Sequence, residues 1–291
     1  VYLSMQNPET FTSLEYLIQK ITEDIDKVLS GKEPVAKVPS DLKDFFKYLY
    51  ECNYWLEEKD KRLLLSVDEY ENIDLKIGQN VFPEDLLATL RESIQSHRRI
   101  TWIFSGSHEI SELSHAPWTS YLVSARTIEV PMFTLNETKL LLTEPLKYSA
   151  LWNNDNLGRP HFEEIFWGEG GIERIHREAG GWPHLVQLIA ETIVDLMNEE
   201  DTRQVNSQLM ERALDKAIVS GHNVLYELMR RECTLPGEWE YLSAFRQKDF
   251  QPLPEDDAIY QSLRRRLIIE EGADQWRLRV PLMQRWLRKR G

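Results

Sequence analysis

Two adjacent acids close the most informative stretch of this 291-residue sequence, Leu63-Leu64-Leu65-Ser66-Val67-Asp68-Glu69. A continuous apolar run of this length reads as a strand buried on both faces of a parallel sheet. The carboxyl end of such a strand faces the ligand crevice. There a first carboxylate can hold Mg²⁺ through its water shell. A second can orient and polarise an attacking water. Asp68 and Glu69 are therefore the candidate catalytic pair, with Asp68 also the metal acid. The competing reading is a strand that simply runs into an acidic turn. Two more features sit where such chemistry would need them. The next apolar run, Ile100-Thr101-Trp102-Ile103-Phe104, ends in Ser105-Gly106-Ser107, and Arg126 lies just before a third run, Thr127-Ile128-Glu129-Val130.

The elements that must position these residues alternate. Val1 to Met5 reads as an opening strand, followed by Thr12-Ser13-Leu14-Glu15 with the spacing of a capping box and a helix to about Leu29. Leu42, Phe45, Phe46, Leu49 and Leu56 mark a second amphipathic helix before the Leu63 strand. Leu86, Leu87, Leu90 and Ile94 mark another before the Ile100 strand. Thr134-Leu135-Asn136-Glu137 is a second capping box. Strands alternating with helices predict a βαβ architecture with a parallel sheet. Beyond Glu144 the strand signal fades into a polar loop, Trp152 to Pro160, and three helical stretches, 170–179, 184–197 and 207–218. The last part predicts three helices (222–231, 238–245, 256–266) and a hairpin, Leu267–Glu270 with Trp276–Val280 turning at Gly272-Ala273-Asp274, which together make a winged helix. The expected division is 1–146 for the α/β core, 147–218 for a helical domain and 219–291 for the winged helix.

Composition narrows the function classes. The net charge is −13, yet residues 264–291 hold nine Lys/Arg and three acids, a local excess of +6. A basic C-terminal module thus follows an acidic body, which argues against wholesale nucleic-acid coating. It leaves a solvated face, a polyanion contact or an intramolecular dock. No apolar run approaches the roughly 20 residues that span a bilayer. Cys52 and Cys233 have no CxxC partner, which fits a reduced, cytoplasmic protein without structural zinc. His108-Glu109-Ile110-Ser111-Glu112 lacks the second His of a zinc protease motif, and Ser107 sits in no G-x-S-x-G. Trp152, Trp167, Trp182 and Trp239 read as packing residues rather than a base-stacking platform.

Taken in order, these features resemble the STAND and origin-recognition-like branch of the AAA+ P-loop ATPases. LLLSVDE resembles Walker B, WIFSGS resembles sensor 1, GGWPHLVQ resembles the GxP of a helical lid, and LRRRLIIEEGADQWRLRVPLMQRWL resembles a C-terminal winged helix. The resemblance spans nearly the whole chain. It implies an ATP/ADP and Mg²⁺ site clamped between core and lid. Asp68 takes the Mg²⁺ acid position and Glu69 the water-orienting one. Ser105 or Ser107 takes the sensor-1 position, and Pro183 that of the lid proline near adenine. Arg126 matches an arginine finger or, as plainly, a helix-end cation. Pro183 is equally a helix-start proline. The implied function is an ATP-dependent signalling or regulatory switch with protein partners or self-association. The alternatives are a DNA-binding relative acting through Arg264, Arg265, Arg266, Arg277 and Arg279, and a non-hydrolysing pseudo-ATPase scaffold.

One departure is large. G-x-x-x-x-G-K-[ST] is absent. The Gly31-Lys32 pair has Asp26 at the first glycine position and Glu33 at the Ser/Thr position. In the family's sheet order, 5-1-4-3-2, the four strands here would be 2, 3, 4 and 5. The first strand, missing, would lie between 4 and 5 and leave two ladders unpaired. With Val1 in place of a Met, the expectation is a fragment whose phosphate loop lies upstream and which binds ATP poorly alone.

Overall fold

The computed structural model describes residues 1–7, 10, 12–29, 36–149, 160–231, 233, 235–272 and 275–289. The Gly31-Lys32 pair, Trp152 with most of its polar loop, and Ala273-Asp274 lie outside the described residues. The chain forms two compact units, Val1–Ile128 and Glu129–Gly291.

The first unit is built on three parallel strands in the order β1 (Tyr2–Ser4), β2 (Leu63–Asp68), β3 (Ile100–Ser105). Ser4 lies beside Asp68, and Asp68 beside Ser105. Between β1 and β2 run α1 (Leu14–Leu29) and α2 (Leu42–Glu58), and between β2 and β3 run α3 (Glu71–Gly78) and α4 (Asp85–Ser96). A short helix, α5 (Trp118–Tyr121), follows β3. Apolar stripes on these helices explain the packing: Leu17, Ile18, Ile21 and Ile25 of α1 and Phe45, Leu49, Cys52 and Leu56 of α2 share one core with Leu3, Leu65 and Val67. Asp41 caps α2, accepting from the Asp44 N–H at 2.8 Å. At α1 the cap is one residue later than the sequence spacing predicts. The Ser13 hydroxyl accepts from the Tyr16 N–H, which leaves Glu15 out of the box.

Two expectations about the sheet are corrected. β2 and β3 are buried on one face only: Leu63, Leu65, Val67 and Ile100 are covered, whereas Leu64 is 49% and Ile103 44% exposed. The predicted strand Thr127–Val130 does not form, and Ile128 and Val130 are 78% and 89% exposed. β-Branched composition favours a strand only where a ladder partner exists. Among the described residues nothing pairs with the outer edge of β3 or with 127–130.

The second unit is helical apart from one hairpin. It comprises α6 (Leu135–Thr143), α7 (Gly171–Ala179), α8 (Pro183–Glu199), α9 (Ser207–Ser220), α10 (His222–Tyr226), α11 (Glu238–Ser243), α12 (Asp257–Arg265), the antiparallel pair β4 (Ile269–Gly272) and β5 (Gln275–Leu278), and α13 (Pro281–Lys289). The second capping box is present, with Thr134 and Glu137 exchanging bonds at the start of α6. α13 is an addition to the three helices and hairpin expected for the winged helix. Its Leu282, Met283, Trp286 and Leu287 enter the same core as Ile175, Ile189 and Leu214. Arg285 of α13 reaches Glu178 of α7 at 3.1 Å and Glu211 of α9 at 3.0 Å. Gly180 and Gly181, both left-handed, let backbones meet: Phe133 N–H donates to Gly181 O at 2.8 Å, and a Cβ on Gly180 would lie 2.8 Å from Val280.

Candidate functional site

The parallel register brings Ser4, Asp68 and Ser105 side by side at the carboxyl ends of the three strands. Asp68 Oδ1 accepts from the Ser105 hydroxyl at 2.7 Å and from the Glu69 N–H at 3.1 Å. Asp68 Oδ2 accepts from the Tyr2 hydroxyl at 2.6 Å. The Tyr2 bond, then the Ser105 bond, hold the Asp68 carboxyl below its ordinary range despite partial burial. The same contact pushes the Tyr2 phenol up. Asp68 is thus an ionised, oriented carboxylate at neutral pH.

Glu69 has φ +57, a left-handed backbone that costs a non-glycine residue about 1 kcal/mol. That turn aims its N–H back at Asp68, and its own carboxylate accepts from the Ser4 hydroxyl at 3.3 Å. The next residues, which the sequence reading passed over, fasten the loop after β3. Tyr70 donates its hydroxyl to His108 O at 2.6 Å and its N–H to Ser105 O at 3.2 Å. Glu71 Oε1 accepts from the Ser107 N–H at 3.1 Å and the Ser107 hydroxyl at 2.9 Å. Gly106 passes so close that a Cβ there would meet Glu71 Oε2 at 2.0 Å. One turn on, buried Asp74 accepts from His115 N–H and Nδ1, Ala116 N–H and Trp118 Nε1. The start of α3, directly after the acidic pair, therefore fastens residues 105–108 and 115–118.

Of the candidate residues, Asp68, Glu69 and Ser105 lie in one hydrogen-bonded group, whereas Ser107 bonds to Glu71 outside it. Arg126 is exposed and forms no ion pair or hydrogen bond with any of them. It also stands five positions beyond the end of α5, so it caps no helix dipole. Pro183 opens α8 in the second unit at the first helical position. Tyr2 and Ser4 were the residues missed. Their signal was the alternation along Tyr2-Leu3-Ser4, which puts two hydroxyls on one face once the parallel register with Asp68 is known.

The donor set is all oxygen: two carboxylates and three hydroxyls. Among the described residues no group of three or more His, Cys, Asp or Glu could cage a metal. That combination fits Mg²⁺, which takes one or two carboxylates and fills its octahedron with waters and phosphate oxygens. Burial pushes the Cys52 thiol up to about 12 and that of Cys233 up to about 11.

The C-terminal cations are largely engaged. Arg266 pairs at 2.9 Å with Glu238, which is fully buried, and donates to Leu228 O at 2.8 Å. Arg277 pairs with Glu270 at 2.7 Å, and Arg264 lies over the Tyr260 ring. Arg279 is half-buried, and its charge adds to burial in lowering the His176 pKa. Arg264 and Arg265 at the end of α12 are the exposed members of the arginine triplet. Arg266→Ala is accordingly expected to destabilise the second unit by about 2 kcal/mol, because it strands the buried Glu238. Urea unfolding followed by tryptophan fluorescence reads this, and an unchanged midpoint would refute it.

No protein-family model matches the sequence, and neither does any curated protein. Solved structures do match it. A Walker-type ATPase of Pyrococcus abyssi superposes with a TM-score of 0.60 at 16% identity, over 99% of this chain and 83% of that one. The ORC2 protein of Aeropyrum pernix, in ADPNP–ADP complexes, gives 0.48 at 13% identity over 98% and 77%. The RuvB Holliday junction branch migration motor of Thermotoga maritima gives 0.40 at 13% identity over 92% and 94%. The likeness is one of fold: over nearly its whole length the chain shares the fold of that Pyrococcus abyssi Walker-type ATPase.

Proposed function

We propose that the protein is an ATP-dependent regulatory switch that binds ATP with Mg²⁺ and hydrolyses it slowly. The observation that carries this reading is the ionised Asp68 at the end of the central strand, held by Ser105 and followed by a strained Glu69. Mg²⁺, when bound, would supply charge stabilisation to the phosphates. The chain's own residues do the rest. Asp68 would hold the cation, Ser105 fixes the Asp68 carboxylate and would serve as the phosphate sensor, and Glu69 would orient the attacking water. Ser107 supports the loop rather than the carboxylate.

The phosphate-binding loop that this chemistry requires has no counterpart in the 291 residues. We infer that it is supplied from outside them, and the outer edge of β3, unpaired among the described residues, is where an incoming parallel strand would find backbone partners. In the second unit the reading keeps 147–218 as a helical lid module, with Pro183 as its lid proline, and 219–291 as a winged-helix module. The test is ATP binding by isothermal titration calorimetry, with and without Mg²⁺, on the protein completed by its phosphate-binding loop. Magnesium-dependent binding that Asp68→Asn removes supports the switch. Binding indifferent to both Mg²⁺ and Asp68→Asn would sink it. Binding without turnover would favour a pseudo-ATPase scaffold.

A DNA-binding reading rests on the helix-then-hairpin order of α12, β4 and β5, with Arg264 and Arg265 exposed beside it. A regulatory dock is favoured, since Arg266, Arg277, Arg285, Arg288 and Lys289 already pair with acids of the same unit. Arg264→Ala/Arg265→Ala/Arg277→Ala, which spares the structural Arg266, separates the two. A dock predicts negligible duplex binding in both forms and altered nucleotide exchange in the variant. Nanomolar binding that falls steeply with salt and is lost in the variant would establish the DNA reading.

A further inference from the structure

We propose that Tyr2 is a gate on the metal acid: its hydroxyl occupies the one oxygen of Asp68 that a cation can take, and it must swing away for the cation to enter. This rests on the reading of Asp68 as the metal acid. Both oxygens of Asp68 are engaged, so a cation has to displace a donor. The three donors differ in how readily they leave. Ser105 belongs to β3, in register with Asp68, and is partly buried. The Glu69 N–H is part of the backbone, fixed by the left-handed turn that follows the strand. Both serve Oδ1.

Among the described residues Tyr2 alone serves Oδ2, and it is 63% exposed. Its backbone is anchored, because Leu3 beside it is buried and paired with Val67. Its ring lies on the uncovered face of the sheet, opposite Ser66, and reaches diagonally to Asp68 two residues on. A rotation of that ring away from Asp68 exposes little that was buried and returns the phenol to water. Oδ1 is therefore the fixed oxygen and Oδ2 the exchangeable one. Tyr2 competes with the cation and sets the concentration at which Asp68 becomes loaded.

The sign of the effect is unusual for a residue bonded to a metal acid, and it distinguishes a gate from a support. Removing the hydroxyl should tighten cation binding. A hydrogen bond to a charged acceptor, discounted for the exposure of Tyr2, corresponds to about three- to tenfold in affinity. The experiment titrates the 291-residue chain with Mn²⁺ alone and counts free ion by electron paramagnetic resonance, for the wild type, Tyr2→Phe, Tyr2→Leu and Asp68→Asn. The expected result is one site that Asp68→Asn abolishes and that both Tyr2 variants bind about three- to tenfold more tightly. Circular dichroism confirms that the variants are folded. Equal or weaker affinity in Tyr2→Phe, at a site still lost in Asp68→Asn, would overturn the gate and leave Asp68 as the metal acid. A titration with no site sensitive to Asp68→Asn would overturn both.

Discussion

Asp74→Ala is expected to destabilise the first unit by about 3 kcal/mol, the largest stability effect of any single change near the site. Asp74 is buried and accepts four hydrogen bonds, two from His115 and one each from Ala116 and Trp118. Truncation leaves those donors facing a void, and each buried unpaired group costs about 1–3 kcal/mol before relaxation. Burial alone would raise the Asp74 carboxyl, but the bonds from His115 and Trp118 outweigh it and hold it below its usual range. A carboxyl lowered in the folded state contributes stability above its unfolded value, near pH 4, and loses that contribution as pH falls through the lowered folded value. Wild-type stability should therefore drop below about pH 4 more steeply than that of Asp74→Ala. Guanidinium unfolding monitored by tryptophan emission at neutral and acid pH checks both points. A midpoint unchanged at pH 7 would show that the segment 105–118 is not held through α3.

In the protein completed by its phosphate-binding loop, Glu69→Gln is expected to slow ATP turnover about a hundredfold, some 2.7 kcal/mol of barrier, while leaving ATP affinity within about twofold. Gln has nearly the same shape and can still accept from Ser4. What it loses is the negative oxygen that orients and polarises water at the moment of attack, an interaction realised only in the transition state. The left-handed backbone at this position restricts which residues fit, so Glu69→Gln is the gentler test than Glu69→Ala. Steady-state phosphate release and a nucleotide-binding titration on the same preparation separate the two quantities. An unchanged turnover number would remove Glu69 from the chemistry, and a parallel loss of affinity would make it a binding residue instead.

Much of this arrangement is legible in the residues, and what is not has specific causes. The run Leu63–Val67 and the run Ile100–Phe104 announce their strands because apolar continuity is a local property. Thr134 and Glu137 announce a helix start because their reciprocal bonds span only three residues. The Thr127–Val130 segment has the same local signature, yet a strand is a relation between two segments, and here the second is lacking among the described residues. The exposure of Leu64 and Ile103 has the same origin, since that face of the sheet is left open among the described residues. Helix α13 was within reach of the sequence. Pro281 at its first position and the Leu282, Met283, Trp286, Leu287 spacing are an ordinary helix signature.

At the site, Asp68 and Glu69 stand out because adjacent acids after an apolar run are conspicuous. Tyr2, Ser4, Tyr70 and Glu71 do not, because their meaning depends on register. Tyr2 reaches a residue 66 positions away, and Glu71 reaches Ser107 across 36. The arginine triplet misleads for the opposite reason. A run of like charges looks like a single surface, yet helical geometry turns Arg266 inward to Glu238 while Arg264 and Arg265 face out.

The position of a nucleotide-bound metal tests the account most directly. With millimolar Mn²⁺·ATP added to the protein completed by its phosphate-binding loop and labelled at Leu and Val methyls, paramagnetic broadening should centre on Val67 and Leu3, the residues paired one step before Asp68. It should vanish in Asp68→Asn. Broadening that leaves Val67 and Leu3 sharp, or that persists unchanged in Asp68→Asn, would contradict the assignment of this strand end as the ATP and Mg²⁺ site.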